Sequence, residues 1–174
     1  MFFEKKNLLI FPVIIFTILG CTSDNYSDAF IPEQINESDK IFSIEDIKEK
    51  GFRQNKEYDI RDLPYALSAY FGWFPDTNEE LKDIEIRFYD SHEDALNYGF
   101  NIADEVTGKN GIISKRDVTW KEGNNDRRSN KRSGTGGLGP GSGKAKYGDF
   151  VIIGNMIILC EGSETTSLDL CGKL

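Results

Sequence analysis

Apolar residues recur with helical periodicity in two segments of the chain, residues 62–74 and 91–106. They return every three or four positions, which places them on one face of a helix. A helix-capping pair, a serine three residues before an aspartate, stands at Ser91 and also at Ser43, where Gly51 then supplies a stop signal. The pattern therefore predicts helices at residues 42–52, 62–74 and 91–106.

A period of two replaces the helical spacing at residues 83–89. Apolar side chains occupy the even-numbered positions and polar or amphipathic ones the odd-numbered positions, which predicts a half-buried strand. Residues 149–153 and 156–160 are almost entirely apolar and flank Gly154-Asn155. They predict a β-hairpin with a two-residue turn, in a sheet that is covered on both faces.

Two further signals complete the order of the elements. Residues 118–120 predict a short strand, and residues 167–174 predict a last short helix. Without the short segment at 118–120, the resulting order is helix, helix, strand, helix, strand, strand, helix. We expect an α+β fold class: a small two-layer domain in which helices pack on an antiparallel, hairpin-containing sheet.

The first twenty residues have the organisation of an export signal. A charged start, MFFEKK, precedes the largely apolar run of residues 8–19. A helix of that length rises only about 18 Å, which is too short for the roughly 30 Å hydrocarbon core of a bilayer. We therefore expect residues 1–20 to be a cleaved signal peptide rather than a membrane span.

The end of this segment, Ile18-Leu19-Gly20-Cys21, resembles the lipobox of bacterial lipoproteins. The resemblance implies that Cys21 carries acyl chains such as palmitate, becomes the mature N-terminus, and anchors an extracytoplasmic protein to the membrane of the cell envelope. Thr22 stands where an aspartate would retain a lipoprotein in the inner membrane, so the outer membrane is favoured if the cell has two. The domain behind the anchor resembles the small domains of envelope lipoproteins without an assigned activity.

The mature chain is predicted to contain a tether and one domain. Residues 21–41 are polar, acidic and aperiodic, which is typical of a flexible tether. Residues 42–174 suit a single α+β domain, and there is no room for two. Within it, residues 121–148 combine glycine, serine, asparagine and basic side chains, which predicts a flexible loop.

Two cysteines remain after Cys21 is set aside. Cys160 and Cys171 lie eleven positions apart in the sequence, and an exported pair of this kind is a candidate disulfide. Zinc binding is the alternative, but two cysteines and a single histidine need carboxylates to complete four ligands. We expect the disulfide and no metal site.

Charge is distributed unevenly along the mature chain, whose net charge is −9. Residues 22–108 carry −13, residues 109–148 carry +7 and residues 149–174 carry −3. The basic segment is a candidate site for an anionic envelope component or a protein partner. A solvated loop that partly neutralises its own acidic domain is the alternative, and the acidic total argues against nucleic acid. The candidate residues are Arg127, Arg128, Lys131, Arg132, Lys144 and Lys146.

The glycine run of residues 134–146 imitates a nucleotide-binding loop. Its G-x-G-x-x-G spacing needs a strand before it and a helix after it, and neither is predicted here. The Walker register also fails, because Leu138 and Ala145 occupy the positions of the first glycine and of the Ser/Thr. We expect no nucleotide and no other cofactor.

No residue set predicts catalysis. His92, the only histidine of the chain, falls in the first turn of a predicted helix, where an exposed structural residue is expected. The aromatic run between Tyr70 and Phe74 is a candidate sugar platform, although its spacing favours core packing. We therefore expect a non-enzymatic binding or interaction module. A carboxylate-based extracytoplasmic enzyme and a purely structural envelope component are the alternatives.

Overall fold

The computed structural model describes residues 34–129 and 143–174, which form a small α+β domain around a mixed six-stranded sheet. The signal peptide, Cys21 and most of the tether lie outside the described residues. The strands are β1 (Ile35–Asn36), β2 (Arg53–Glu57), β3 (Ala66–Pro75), β4 (Leu81–Tyr89), β5 (Arg128–Ser129), β6 (Lys144–Ala145), β7 (Tyr147–Ile153) and β8 (Met156–Glu161). The helices are α1 (Ile44–Glu49), α2 (His92–Asp94), α3 (Phe100–Asp104) and α4 (Glu164–Cys171), with a π-helical turn, Ala95–Gly99, between α2 and α3.

The strand order of the main sheet is β1-β7-β8-β4-β3-β2. Only β1 pairs in parallel, with β7; the other neighbours in this sheet are antiparallel. Strands β5 and β6 form a separate two-stranded ribbon. The end of the expected tether therefore contacts the domain, since β1 lies within residues 34–41.

Both faces of the sheet are covered. On one face, the apolar side chains of β4 pack in a cluster with Ile47 of α1 and Leu170 of α4. These side chains are Ile84, Ile86 and Phe88. On the other face, Leu159 and Ile157 of β8 pack with Ala103 of α3. Because helices lie on both faces, the two-layer packing expected from the sequence is not confirmed, whereas the α+β class is.

The helix predicted at residues 62–74 is wrong, because most of that segment is strand β3. The aromatic side chains that repeat at helical intervals also suit a strand, where aromatic residues are favoured. In β3, Ala69 and Phe71 pack in a third apolar cluster, whereas Phe74 packs in the cluster that contains Ile47 and Leu170. Pairing with both β2 and β4 satisfies the backbone of this segment, so tertiary structure overrides its helical pattern.

The other helix predictions are confirmed. Ser43 caps α1 through a reciprocal pair of contacts with Asp46, and the chain leaves the helix at Gly51, whose φ is +112°. Ser91 Oγ caps α2 by accepting from the Asp94 N–H and also donates to the Asp94 carboxylate, and helical structure then continues to Asp104. The last helix begins at Glu164, three residues earlier than predicted.

The strand at residues 83–89 is confirmed as part of β4, but residues 118–120 form no strand. Val118 and Trp120 are nevertheless buried, at 3% and 1% exposure. The two apolar side chains therefore reflect contact with the core by an irregular segment rather than strand pairing.

Strands β7 and β8 pair antiparallel, and Ile153 lies opposite Met156 across the turn of Gly154 and Asn155. Gly154 has φ +51°, the left-handed region in which glycine is unstrained. The Asn155 amide donates to the carbonyls of Phe42 and Tyr89, and its Oδ1 accepts from the Phe42 N–H. This one side chain therefore joins the turn to the start of α1 and to the end of β4.

The predicted disulfide is confirmed: Cys160 of β8 is bonded to Cys171 of α4, and both are fully buried. The bond fixes α4 against the sheet. None of the helices in residues 34–129 and 143–174 has the length and hydrophobicity needed to cross a bilayer.

Candidate functional site

A groove of about 780 Å³ opens where the basic segment joins the domain. Three elements build it: the turn between β3 and β4, the ribbon of β5 and β6, and α4 together with residues next to both of its ends. Ser129 and Lys144 line it, and these two residues pair across the ribbon. Described residues on both sides of residues 130–142 therefore line this groove.

Ion pairs hold part of the groove wall. Lys82 Nζ lies 2.6 Å from a carboxylate oxygen of Glu80 and 3.5 Å from one of Asp76. The hydrogen bond to Glu80 raises the pKa of Lys82. Burial acts to raise the pKa of Asp76, but the N–H groups of Asn78 and Glu80, together with Lys82, hold it below its ordinary value. Lys82 balances one of the two carboxylates, so the three side chains together keep one net negative charge.

Lys144 and Lys173 are the lysines of the groove that form no ion pair with the residues the structure describes. Both side chains are exposed. The remaining groove lysine, Lys146, pairs with Asp83. Four lysines and four carboxylates line the groove in total, so it is neutral by itself. The adjoining residues 130–142 contain Lys131 and Arg132 and no acidic residue, which adds two positive charges to the count of the sequence.

The structure separates the six basic residues predicted from the sequence. Lys144 and Lys146 line the groove, whereas Lys131 and Arg132 lie outside the described residues. Arg128 is half-buried, and its Nε donates to the carbonyl of Ile113 at 2.8 Å. Arg128 is thus engaged by the backbone at the base of the ribbon.

Arg127 is only 1% exposed and lies in the interior of the domain. Its guanidinium donates twice to Glu85, with nitrogen–oxygen distances of 2.7 and 3.1 Å, and once to the carbonyl of Trp120. A surface ligand does not reach this side chain. The prediction that placed Arg127 in an exposed loop missed that the chain folds back onto the sheet there.

Glu85 binds a second guanidinium, that of Arg87, whose Nε lies 2.8 Å from Glu85 Oε1. Both arginines stack on Trp120, with centroid distances of 5.0 Å for Arg87 and 4.4 Å for Arg127. Burial acts to raise the pKa of Glu85, but the charges of Arg127 and Arg87 outweigh it and hold the pKa below the ordinary range. This buried cluster of Glu85, Arg87, Arg127 and Trp120 secures the segment that leads into the ribbon.

Sequence patterning missed the buried cluster because alternation placed Glu85 and Arg87 on a solvated face of β4. Trp120, standing alone in the sequence, carried no signal. The available signal was the pair of opposite charges two positions apart, which lie on the same face of a strand. A matching cation elsewhere in the sequence, Arg127, had no pattern that linked it to them.

The remaining candidates are also placed. Phe71 and Phe74 are buried, and Tyr70 and Trp73 are half-buried against the core. This agrees with the expectation that the aromatic run packs in the core. The Nδ1 atom of His92 lies 2.9 Å from the carbonyl oxygen of Gly154. Within residues 34–129 and 143–174, no group of three or more His, Cys, Asp and Glu side chains is arranged to hold a metal ion.

Comparison with known proteins gave one match. A family model described as a family of unknown function, DUF6810, matches residues 43–174. The match begins at Ser43, the N-cap of α1, and extends to the C-terminus, so it covers nearly the whole described domain. No curated protein and no solved structure matched.

Proposed function

The chain belongs to the DUF6810 family, and we propose that it is a lipid-anchored binding module of the cell envelope. In this proposal Cys21 holds the protein at the membrane, and the domain, with the hairpin of β7 and β8 at its centre, carries no catalytic activity. Its partner is an anionic component of the envelope. The supporting observation is the groove at the base of the basic segment.

Two features of the groove and of the segment next to it favour an anionic partner. Lys144 and Lys173 are exposed on it and form no ion pair within the described part of the chain. Lys131 and Arg132 belong to the segment whose two ends open there. Cations at a surface attract anionic groups over about one Debye length, which is close to 8 Å at physiological salt.

The test is binding of the purified full chain to fluorescent dextran sulfate, with neutral dextran as the uncharged control. A variant in which Lys131, Arg132, Lys144 and Lys173 are replaced by glutamine should lose most of the binding. The matched control replaces Lys50, Lys109, Lys115 and Lys121, which are exposed elsewhere and remove the same charge. Equal losses of binding in the two variants would show that only the total charge matters, and the groove would be rejected as the binding site.

The source of the anionic group is identified in cells. A photo-crosslinking side chain at Lys144, followed by mass spectrometry, should capture a phosphate-bearing lipid or polysaccharide or an acidic protein surface. The same side chain at Lys115 is the control. Identical adducts from both positions would contradict the proposal.

A further inference from the structure

Two tyrosine rings stack on the surface, away from the residues that line the groove. The ring centroids of Tyr65 and Tyr98 are 3.8 Å apart, and the ring planes differ by 22°. Tyr65 is 66% exposed, and Leu67, two positions along, is 54% exposed. Large exposed aromatic and aliphatic side chains that lie together are typical of contact surfaces.

Irregular backbone carries both rings. Tyr65 has φ +57°, a left-handed conformation that a bulky L residue rarely adopts. Tyr98 lies in the π-helical turn Ala95–Gly99, in which the Phe100 N–H bonds to the carbonyl of Ala95. Such strain and such turns concentrate at functional sites. Here two independent irregularities meet in one stacked pair, in which Tyr65 is exposed and Tyr98 is half-buried.

Negative charge surrounds the pair. Glu93 is exposed and forms no ion pair with the described residues, and Asp94 is half-buried beside it. Tyr65 raises the pKa of Tyr98, burial adds to the effect, and the charges of Asp94 and Glu93 act in the same direction. Asp94 and Glu93 lie four and five residues before Tyr98 in the same helical run, so both carboxylates are close to the turn that carries this ring.

Cations cover other aromatic rings of this protein. Lysine or arginine lies over Phe42, Phe71 and Trp120 at 4.4 to 5.8 Å from the ring centroids. Among residues 34–129 and 143–174, no cation lies over Tyr65 or Tyr98. The pair thus offers an aromatic face and neighbouring carboxylates without an internal cation.

We propose that the surface formed by Tyr65, Leu67, Glu93 and Tyr98 binds a positively charged peptide segment of a partner protein. An arginine or lysine side chain lies on the exposed face of Tyr65, and Glu93 attracts its charge. An anionic ligand would meet repulsion from Glu93 and Asp94. A neutral sugar would stack on the rings but would gain nothing from the carboxylates. The surface is separate from the groove and does not depend on it.

The binding test uses the full chain and a fluorescein-labelled peptide of alternating arginine and glycine, measured by fluorescence anisotropy. Tyr65→Gly should weaken binding at least threefold, as expected when an exposed cation–π contact is lost (about two- to fivefold) together with the stack. Glycine adopts φ +57° without strain, so this variant should fold normally. Tyr98→Leu, at a helical position that is not among those with positive φ, should weaken binding similarly.

The matched control is Glu79→Gly, since Glu79 has φ +64° and is exposed in the turn before β4. It relieves the same backbone strain without touching the pair, so its affinity should equal that of the wild type. A loss as large as that of Tyr65→Gly would show that the peptide responds to acidic charge anywhere, and the proposal would fail.

Glu93→Gln tests the electrostatic part. It should lower the affinity and reduce its dependence on salt, whereas Glu49→Gln, at an exposed position in α1, should change neither. Labelled chitohexaose serves as the neutral probe. If chitohexaose binds in a Tyr65-dependent way and the arginine peptide does not, the assignment to a cationic partner is wrong. Unchanged peptide binding in Tyr65→Gly would also overturn it.

Discussion

Glu85 lies between two guanidinium groups in the interior of the domain, and its own side chain is fully buried. A carboxylate in such a position is stable only because both arginines donate to it. The reverse also holds, since Arg87 and Arg127 depend on the one buried carboxylate between them. The three residues therefore act as a unit, and removing Glu85 leaves two buried guanidinium groups without a counterion.

Glu85→Gln should lower the free energy of unfolding by about 3–5 kcal/mol, the range observed when one partner of a buried ion pair is removed. Urea denaturation of the purified chain measures the loss. Glu80→Gln, at an exposed carboxylate, should change stability by less than about 0.5 kcal/mol. A wild-type stability in Glu85→Gln would show that the buried cluster is dispensable.

The same residue should make stability depend on pH. The pKa of Glu85 is lowered in the folded protein from its ordinary 4.5. Its contribution is therefore complete above about pH 4.5 and is lost as the pH falls through the lowered folded value. Urea denaturation between pH 2 and 7 should show this loss, and its size should shrink in Glu85→Gln because that side chain no longer titrates.

Asn155 is 1% exposed, and its side chain forms three hydrogen bonds with the backbones of Phe42 and Tyr89. Asn155→Ala should lower the free energy of unfolding by about 3 kcal/mol, because it leaves buried backbone groups unpaired. Asn110→Ala, at an exposed position, should have little effect. Thermal denaturation of both variants measures the two losses of stability. A loss in Asn155→Ala alone would show that the hydrogen bonds of Asn155 are responsible, and not the removal of an amide side chain as such.

At the scale of elements, α4 depends on a covalent bond as well as on packing. It is a short helix that contacts β7 and β8, and Cys171 joins it to Cys160 at the end of β8. Short helices are marginal on their own in water. The disulfide therefore limits how far this helix and the C-terminus separate from the sheet in the unfolded chain.

Replacing both Cys160 and Cys171 by alanine should lower the free energy of unfolding by roughly 3 kcal/mol, as expected for a closed loop of this length. Hydrogen exchange should then show faster exchange in α4 than in β4. Equal protection of the two elements would contradict a specific role of the bond in holding the helix.

The elements that sequence patterning predicted correctly carry local signals. The Ser43–Asp46 pair marks the start of α1, and the strict alternation in residues 83–89 marks β4. The segment at residues 62–74 lacked such a signal, because its aromatic spacing fits a helix and a strand alike. Its pairing with β2 and β4 is non-local, and a single sequence does not display it.

The same distinction applies to the candidate sites. Residues Lys144 and Lys146 were found because basic residues cluster in the sequence, and the disulfide because few cysteines were available. The burial of Arg127 and the stack of Tyr65 on Tyr98 depend on residues far apart in the chain. Charge counting therefore located the groove but did not separate structural arginines from accessible lysines.

At the scale of the whole molecule, the proposed lipid anchor determines where both binding surfaces act. Cys21→Ser should move the protein from the membrane fraction to the soluble fraction of cells, because the acyl chains supply the hydrophobic contact. Fractionation followed by immunoblotting measures this. Thr22→Ser is the control and should remain membrane-bound. Membrane retention of Cys21→Ser would reject the proposed lipidation.

The ribbon of β5 and β6 also provides a site at which a foreign protein sequence can be inserted into the domain. Because Ser129 lies opposite Lys144, the ends of the intervening segment are held about 5 Å apart, the spacing of paired strands. A fluorescent protein whose termini lie close together, joined there through flexible linkers, would leave the sheet and disulfide in place. Such a fusion would report the position of the domain in living cells without altering Cys21, the proposed lipidation site.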